Sequence, residues 1–521
     1  MTTLPTRFRR NAITNYLNQF VMAALAVVVT PILVRGLGKE AFGVWALASA
    51  SVVFFDLLKF GFGRAAIKYV AESHALNDTE RTRKVIATSC AALSVPGLTL
   101  LVASPGLAIL FGMLVEHRLG TPNPDLVSAA KIFVLISMID MAVAIPADIF
   151  GSTLMGFQRY DLLNISLAAT AIAQAASWAA ILAMGGGLVA IGVATLTFSL
   201  GSQLARYLMV RHLAGGAPLR RRYVDRDLVM PLMSMSGWIA VTDIADFVIS
   251  RIDTLVVGLI IGIPQAGVYA VGQKLSAFAG RFTSPVAALF FPHASELAAK
   301  GDREGLRKTL YAGTRIGVSI ATPLVLVLAV LAKPALNAWV GSGYQRAAWV
   351  VILLSASTLV ATFSRTVIYV LRGLGDVKVP ALITAMEAVL NLGLSVGLCF
   401  AIGFQGVALG TFIATLIAHF GFILPYGCRR AEASLPRLLF VVVRGNAVPI
   451  AATVGLGVFL RVMMGVSGIA GVMAAGAAMM ALYALLLFFT GLSGSERRRL
   501  IDAVRRRSGA EPPVPSPDVL P

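Results

Sequence analysis

Apolar residues occupy most of the chain in long runs, and short polar segments separate one run from the next. About fourteen such runs lie between residues 12 and 490. Each has roughly the 20 residues that a helix needs to cross a bilayer. The pattern therefore predicts an all-α polytopic membrane protein with about 14 transmembrane helices.

An internal repeat organises these runs. Residues 71–84 (AESHALNDTERTRK) return as residues 295–308 (SELAAKGDREGLRK), and residues 43–47 (GVWAL) return as residues 267–271 (GVYAV). Both pairs share one offset of 224 residues. An internal repeat in a membrane protein is typical of transporters whose site lies between the two halves.

Six predicted spans fall in each copy of the repeat, so both copies begin and end on the same side of the membrane. Parallel repeats of this kind surround a central cavity and can rock about it. The last two spans have no counterpart in the repeat. We predict an N-terminal six-helix bundle (1–226), a C-terminal six-helix repeat bundle (227–428), two additional transmembrane helices (429–490) and a basic, Pro-rich cytoplasmic tail (491–521).

Basic residues in the loops predict the orientation, because Lys and Arg are retained on the cytoplasmic side. With the N-terminus inside, cytoplasmic segments hold 28 of the 44 basic residues and outer loops hold 6. Both termini are therefore expected in the cytoplasm. The basic clusters lie beside spans, which favours contact with anionic membrane lipids over nucleic acid despite the net charge of +19.

Composition and motifs speak against an enzyme. Apolar residues make up 57% of the 521 residues and charged residues 13%, against roughly 25% charged residues in an average soluble domain. The sequence shows no catalytic domain, phosphate loop or nucleophile motif. The three cysteines have no paired spacing, so neither a metal, a cofactor nor a disulfide is indicated.

Basic residues inside the spans are the first candidates for a binding site, because a charge at the bilayer centre is costly and usually functional. Arg281 lies deep in the eighth predicted span, and Lys274 precedes it by seven residues on the same helical face. Both side chains bind phosphate oxygens well. The alternative is a structural ion pair between Arg281 and the seventh span.

Further residues extend the predicted substrate site. Arg251 in span seven is a second possible anion contact, and Arg64 in span two either lines the cavity or reaches an interface. Asn15 and Asn18 form a polar stripe in span one that could bind sugar hydroxyls or, alternatively, bond to a neighbouring helix.

Carboxylates complete the candidate site. Asp243, Asp246 and Asp253 fall on one side of span seven, where they line water, pair with cations, or carry a proton. Glu387 in span eleven is a further candidate for ion or proton coupling, with Asn391 one turn away. These four acids are the predicted coupling or cavity carboxylates.

Several motifs resemble the polysaccharide-biosynthesis flippases, which transport O-antigen and other lipid-linked oligosaccharides and belong to the multidrug/oligosaccharidyl-lipid/polysaccharide exporter superfamily. The motifs are residues 30–38 (TPILVRGLG), 42–45 (FGVW), 56–68 (DLLKFGFGRAAIK), 251–258 (RIDTLVVG) and 267–269 (GVY). The resemblance covers spans one to twelve. A count of fourteen spans is typical of the oligosaccharide-lipid branch.

This resemblance implies a flippase that moves a polyprenyl-pyrophosphate-linked oligosaccharide across the bacterial inner membrane by alternating access. The residues alone predict a transporter with a mixed, partly basic cavity. One alternative is a cation- or proton-coupled multidrug antiporter of the same superfamily, and a second is a flippase of lipid II-type peptidoglycan precursors. The expected partners are a lipid-linked glycan, membrane lipids and possible polysaccharide assembly proteins.

Overall fold

The protein is described by a computed structural model that covers residues 6–59, 61–119, 123–234, 237–288, 290–491 and 497–498. The described chain is a bundle of helices. In chain order these are α1 Thr6–Val53, α2 Phe62–Ala75, α3 Thr79–Arg118, α4 Pro124–Gly156, α5 Tyr160–Ala183, α6 Leu188–Leu213, α7 Val229–Ser234, α8 Gly237–Ile260, α9 Ile263–Ala288, α10 Phe290–Ala299, α11 Arg303–Val330, α12 Ala332–Val340, α13 Ala348–Gly373, α14 Lys378–Ile402, α15 Phe404–Leu416, α16 Leu424–Arg430, α17 Leu435–Met463 and α18 Gly468–Leu486.

Eleven helices in the described part are long and apolar enough to cross a membrane. The first of them, Leu17–Lys59, includes a kink at Gly38, where φ is 77°, and so contains two predicted spans. α8 and α9 occupy the positions of predicted spans seven and eight. The helices are consistent with about fourteen spans, and the predicted all-α polytopic fold is confirmed.

The two copies of the repeat begin their third span in the same way. Asp78 caps α3 by accepting a hydrogen bond from the Arg81 backbone N–H at 2.8 Å. Asp302 caps α11 by accepting one from the Gly305 N–H, also at 2.8 Å. A side chain that satisfies a free N–H of the first turn stabilises a helix start. The repeat therefore extends to the local geometry of its capping residues.

The second span is discontinuous. After α1 ends at Val53, the chain forms a 3-10 helix, Phe54–Lys59, and then restarts as α2 behind Gly61, whose φ is 72°. Glycine adopts this left-handed conformation without a steric penalty. Broken helices at membrane depth are tolerated where they face protein or a water-filled cavity.

Among the described residues, the two halves of the bundle share a large hydrophobic cluster at one end. At the end that carries the α1 kink and the α8–α9 turn, here called the Gly43 end, one hydrophobic cluster includes Phe42 of the first half and Ile263 of the second. At the opposite end, here called the Asp78 end, the described residues form separate clusters, one around Val85 and the other around Leu306. The bundle is closed at the Gly43 end and divided at the Asp78 end.

The last two long helices, α17 and α18, pack against α11 and against each other. Asn446 of α17 accepts hydrogen bonds from Ser319 of α11 at 3.0 Å and from Tyr483 of α18 at 2.5 Å. These helices are therefore attached to the second half. Most of the predicted tail, residues 491–521, lies outside the described residues.

Candidate functional site

α8 and α9 form an antiparallel pair, and the side-chain amide of Gln273 links the two helices. Gln273 of α9 donates to the Ser250 carbonyl oxygen at 3.0 Å and accepts from the Thr254 hydroxyl at 3.2 Å. An amide that bonds to a neighbouring helix fixes the register of the two helices, because the alternative in hydrocarbon is an unpaired polar group. The pair therefore holds its charged residues in fixed positions.

This helix pair brings two arginines together. Arg251 and Arg281 are both exposed, and their guanidinium groups are close enough to repel each other. Among the described residues neither makes an ion pair with a carboxylate. The guanidinium of Arg281 lies 5.7 Å from the ring centre of Phe278. Two adjacent cations that lack a counter-charge offer multiple N–H donors to an anion.

Lys274 has a different environment from Arg281, although the sequence places both on one face of the same helix. Its ammonium group lies 4.3 Å from the ring centre of Trp45 and 5.8 Å from that of Phe42. The face of an aromatic ring attracts a cation. Lys274 of the second half is therefore held by aromatic residues of the first half at the Gly43 end.

Asp253 is a buried carboxylate between three helices, with only 1% of its surface exposed. Its Oδ2 accepts hydrogen bonds from the Tyr269 hydroxyl at 2.6 Å and from the Thr411 hydroxyl at 3.0 Å. Asn391 donates to Thr411 at 2.9 Å. Asp253 Oδ1 and Asn391 Oδ1 are buried acceptors with no hydrogen-bond partner. The network leaves two oxygen atoms available to a proton or a cation.

Glu387 lies one turn from Asn391 on α14 and pairs with a residue that the sequence analysis did not select. Its Oε2 is 3.4 Å from His419 Nε2, and both side chains are buried. His419 Nδ1 is hydrogen-bonded to Ser364 Oγ. His419 lies in a π-helical segment, Ile417–Ile423, and such segments occur frequently at functional sites.

Asp246 is exposed on α8, unlike the buried Asp253. Its charge interacts with the guanidinium of Arg365 on α13. The acids that were predicted to share one face of span seven therefore lie in two environments: Asp246 is exposed and Asp253 is buried. The side chain of Asp243 lies outside the described residues.

The first half contributes its own polar cluster at the break in the second span. Lys59 lies 2.9 Å from Asp56, as the i, i+3 spacing predicts, and 3.3 Å from Asp148 of α4. The basic residue at the break is therefore neutralised by two acids. Asp56, Lys59 and Asp148 thus join the 3-10 segment to α4.

The remaining predicted site residues also belong to the first half. Arg64 is exposed on α2, just after the break. Asn15 is exposed on α1, and Asn18 is half-buried with an Oδ1 that lacks a hydrogen-bond partner. These three residues therefore lie on α1 and α2 of the first half, whereas the arginine pair lies on α8 and α9 of the second half.

Four participants were missed in the sequence analysis: His419, Arg365, Tyr269 and Thr411. His419 carried a detectable signal, because it is a lone imidazole inside an apolar span. Thr411 carried none, since a threonine is ordinary in a helix interface, and Tyr269 stood out only as part of the repeated segment 267–271. Their role depends on which helices become neighbours, and that is a tertiary property.

Two family models match the chain. The model of polysaccharide biosynthesis proteins matches residues 8–298, more than half of the chain. The MatE model matches residues 239–396, within the second half. The two matches overlap at α8 and α9, which carry the arginine pair.

Curated relatives are distant but cover most of the chain. An uncharacterized membrane protein EpsK of Bacillus subtilis is 22% identical over 76% of this chain and 78% of its own length. A putative O-antigen transporter of Shigella flexneri is 23% identical over 78% of this chain and 95% of its own length. A succinoglycan biosynthesis transport protein, ExoT, of Rhizobium meliloti is 26% identical over 68% of this chain and 66% of its own length.

Solved structures share the fold at low sequence identity. An inward-facing multidrug resistance MATE transporter of the MOP superfamily is 15% identical, covers 82% of this chain and 99% of its own, and has a TM-score of 0.67. The lipid II flippase MurJ in an inward closed conformation is 14% identical, covers 94% and 99%, and has the same TM-score. These likenesses show that the chain has the fold of MOP superfamily transporters. Because the family model matches more than half of its residues, the chain belongs to the polysaccharide biosynthesis protein family.

Proposed function

We propose that this membrane transporter moves a polyprenyl-pyrophosphate-linked oligosaccharide, a precursor of a cell-surface polysaccharide, across the bacterial inner membrane. Family membership supports a role in polysaccharide biosynthesis. Relatives named as O-antigen and succinoglycan transporters support a glycan as the cargo. Assembly proteins of the same polysaccharide are its expected partners, together with the surrounding membrane lipids.

The arginine pair is the observation that carries this proposal. Arg251 and Arg281 are exposed, mutually repelling, and without an ion pair among the described residues. A pyrophosphate has several negative oxygens that two planar guanidinium groups can bind in bidentate fashion. Binding it would relieve the repulsion between the two side chains. The structural alternative, in which Arg281 neutralises span-seven acids, receives no support from the ion pairs of the described residues, which include Asp246 and Asp253 but not the side chain of Asp243.

The orientation follows from the basic residues. The Asp78 end carries the loops that are rich in Lys and Arg, and such loops remain in the cytoplasm. The Gly43 end then faces the outside, where the two halves are closed against each other. This arrangement corresponds to an inward-facing conformation.

Transport would proceed by rocking of the two halves. In the inward-facing conformation, the charged headgroup enters between the halves from the cytoplasmic Asp78 end while the polyprenyl tail stays in the bilayer. Arg251 and Arg281 hold the pyrophosphate, Lys274 and Arg64 add positive charge, and Asn15 and Asn18 bond to sugar hydroxyls. Separation of α1 from α9 at the Gly43 end would then release the headgroup outside.

The acids of the second half would supply the coupling. Asp246, with Asp243, lies on the same helix as Arg251 and limits the net positive charge of the site. Asp253 and Glu387 are buried in hydrogen-bonded clusters that link several helices. A proton or cation that binds there changes the contacts between those helices, which is the requirement for driving an alternating-access cycle.

The two rival cargoes differ in charge and headgroup. A multidrug antiporter would bind organic cations, for which the Arg251–Arg281 pair is repulsive. A lipid II flippase would bind the same pyrophosphate but a peptide-bearing sugar. A pyrophosphate site would therefore disfavour the first cargo and would suit the second equally well.

A flipping assay tests the proposal. The purified protein is reconstituted in vesicles that contain a labelled polyprenyl-pyrophosphate oligosaccharide, and a membrane-impermeant lectin reports the fraction that has crossed. Arg281→Ala and Arg251→Ala should each lower the rate at least about tenfold, because a hydrogen bond to a charged group contributes about 1.5–3 kcal/mol. Arg281→Lys should recover only part of the rate, since the bidentate geometry is lost.

Arg444 is a matched control. It is exposed on α17 and lies 5.8 Å from the ring centre of Phe440, much as Arg281 lies beside Phe278. Arg444→Ala should flip the glycan lipid at the unmodified rate. Equal rates for Arg281→Ala and Arg444→Ala would contradict the pyrophosphate site. Lipid II and an organic cation in the same vesicles distinguish the rival cargoes.

A further inference from the structure

The contact between α14 and the π-helical segment Ile417–Ile423 includes two titratable side chains in an apolar surrounding. Glu387 is 4% exposed and His419 is 7% exposed. A buried carboxylate or imidazolium is costly unless it is paired and hydrogen-bonded. The protonation of this pair therefore strongly affects the packing of the two helices that carry it.

The hydrogen bonds of Ser364 favour one tautomer of His419. Its hydroxyl donates to the Ala361 carbonyl oxygen at 3.1 Å, so its oxygen is left to accept a bond from His419 Nδ1. In the neutral imidazole only one ring nitrogen carries a proton. With that proton on Nδ1, the Nε2 that faces Glu387 is an acceptor.

One further proton is then required between His419 and Glu387. At 3.4 Å, Nε2 and Oε2 attract each other only if a proton resides on one of them, as an imidazolium beside a carboxylate or as an imidazole beside a carboxylic acid. Without it, a lone pair faces a negative charge in a buried site. The distance between Nε2 and Oε2 therefore fits a pair that holds this proton.

We propose that Glu387, His419 and Ser364 form a proton-binding site of the transport cycle, which holds one exchangeable proton in the conformation seen here. Loss of this proton weakens the contact between α14 and the π-helical segment and favours departure from this conformation. This inference rests on the proposed transport function and assigns its coupling ion.

Other charged and titratable groups lie on the helices packed around this pair. α15 carries none. The remainder are Asp243, Asp246, Arg251 and Asp253 on α8, Arg365, Tyr369 and Arg372 on α13, Lys378 and Cys399 on α14, and Tyr426, Cys428, Arg429 and Arg430 on α16. Asp253 is bonded to Tyr269 and Thr411, and Asp246 interacts with Arg365. Asp253→Asn and Asp246→Asn therefore show how much of any pH dependence comes from these two acids instead of the Glu387–His419 pair.

The test measures conformation without substrate, so that it does not depend on the cargo. Val268 is 6% exposed in the closed Gly43 end. Val268→Cys is introduced into the full chain without its three native cysteines, and its labelling by a water-soluble maleimide is followed in vesicles between about pH 5.5 and pH 8.5. Because the reagent itself reacts faster at high pH, each rate is divided by that of the same protein after denaturation.

The corrected labelling rate should rise several-fold with pH, as loss of the proton opens the Gly43 end. Glu387→Gln and His419→Gln should each remove this pH dependence, whereas Asp302→Asn, which changes an exposed acid that only caps α11, should retain it. A labelling rate that does not change with pH when Glu387 and His419 are intact would overturn the proposal. So would the same pH dependence in His419→Gln. If Glu387→Gln does not fold, His419→Gln alone decides. If the protein with Glu387 and His419 intact shows the pH profile but does not flip the glycan lipid, the proposed function is rejected and the proton site is retained.

Discussion

Gly43 and Gly267, which the 224-residue offset of the repeat relates, lie against each other at the junction of α1 and α9. A methyl group added to Gly267 would be 3.1 Å from Cα of Gly43, and one added to Gly43 would be 2.4 Å from the carbonyl oxygen of Ile263. Equivalent residues of two repeats meet where the symmetry axis passes. The closed end of the bundle is therefore built around the axis that relates its halves.

Substitution at this contact should shift the conformational equilibrium. Gly43→Ala places a methyl group against backbone, which cannot rotate away, and overpacking of this kind costs about 1–3 kcal/mol. The closed Gly43 end should be destabilised, and a cysteine at Val268 should become more accessible to maleimide. Gly267→Ala should have a smaller effect, because its nearest contact is longer.

Gly106→Ala controls for the helix-stabilising effect of alanine. A methyl group at this α3 position has no neighbour within 4 Å. Its labelling should match that of the parent protein. An unchanged labelling rate in Gly43→Ala would mean that α1 and α9 do not approach as closely as described.

The two capping aspartates should contribute equally to stability. Asp78→Ala and Asp302→Ala each remove the acceptor of a first-turn N–H bond, at a cost of about 0.5–2 kcal/mol. Hydrogen exchange at the Arg81 and Gly305 amides should accelerate in the corresponding variant. Asparagine also caps helices well, so Asp302→Asn should preserve the protection. The same acceleration with asparagine as with alanine would contradict the capping role.

The sequence predicted the fold class because bilayer thickness imposes a simple requirement on helix length and apolarity. The repeat was equally visible, since Asp78 and Asp302 retain both identity and capping function. The break at Gly61 was not predicted. An apolar run reads as one continuous helix, and a glycine within it does not by itself specify a left-handed residue.

Individual charges were found from the sequence, but their partners were not. Lys274 and Arg281 lie on one continuous helix, as their spacing predicts, but their neighbours were not predicted: Arg281 is near Arg251, and Lys274 lies over Trp45, because reach and tertiary packing decide contacts more than the wheel position does. Glu387 was selected without His419, which lies 32 residues later on another helix. Pairings of this kind depend on how helices are arranged, and single-sequence periodicity does not contain that arrangement.

Topology follows from the distribution of basic residues and can be measured directly. Reporter tags after Pro521 and within residues 215–225 should both indicate the cytoplasm, whereas a tag within residues 115–124 should indicate the outside. A tag in the cytoplasm at residues 115–124 would reverse the assignment of the Gly43 end. The conformation would then be outward-facing, and the direction of substrate entry would be the opposite.

The contact between Lys274 and Trp45 should couple the two halves of the protein. A cation over an indole face in a poorly solvated site contributes about 0.5–2 kcal/mol. Lys274→Met and Trp45→Leu should each lower the free energy of unfolding, and the double variant should lose less than the sum of the two. The difference, measured by thermal or denaturant unfolding in detergent, is the interaction energy.

Trp178 provides the control for this cycle, because it packs edge-on against Trp45 with ring centres 6.2 Å apart. Trp178→Leu removes a similar aromatic area but not the ring beneath the ammonium group, so its interaction energy with Lys274→Met should be smaller than that of Trp45→Leu. If Lys274 chiefly binds pyrophosphate, the Lys274–Trp45 interaction energy should instead be near zero while flipping falls. Stability and transport measured on the same variants therefore separate a cation held by aromatic rings from one reserved for the substrate.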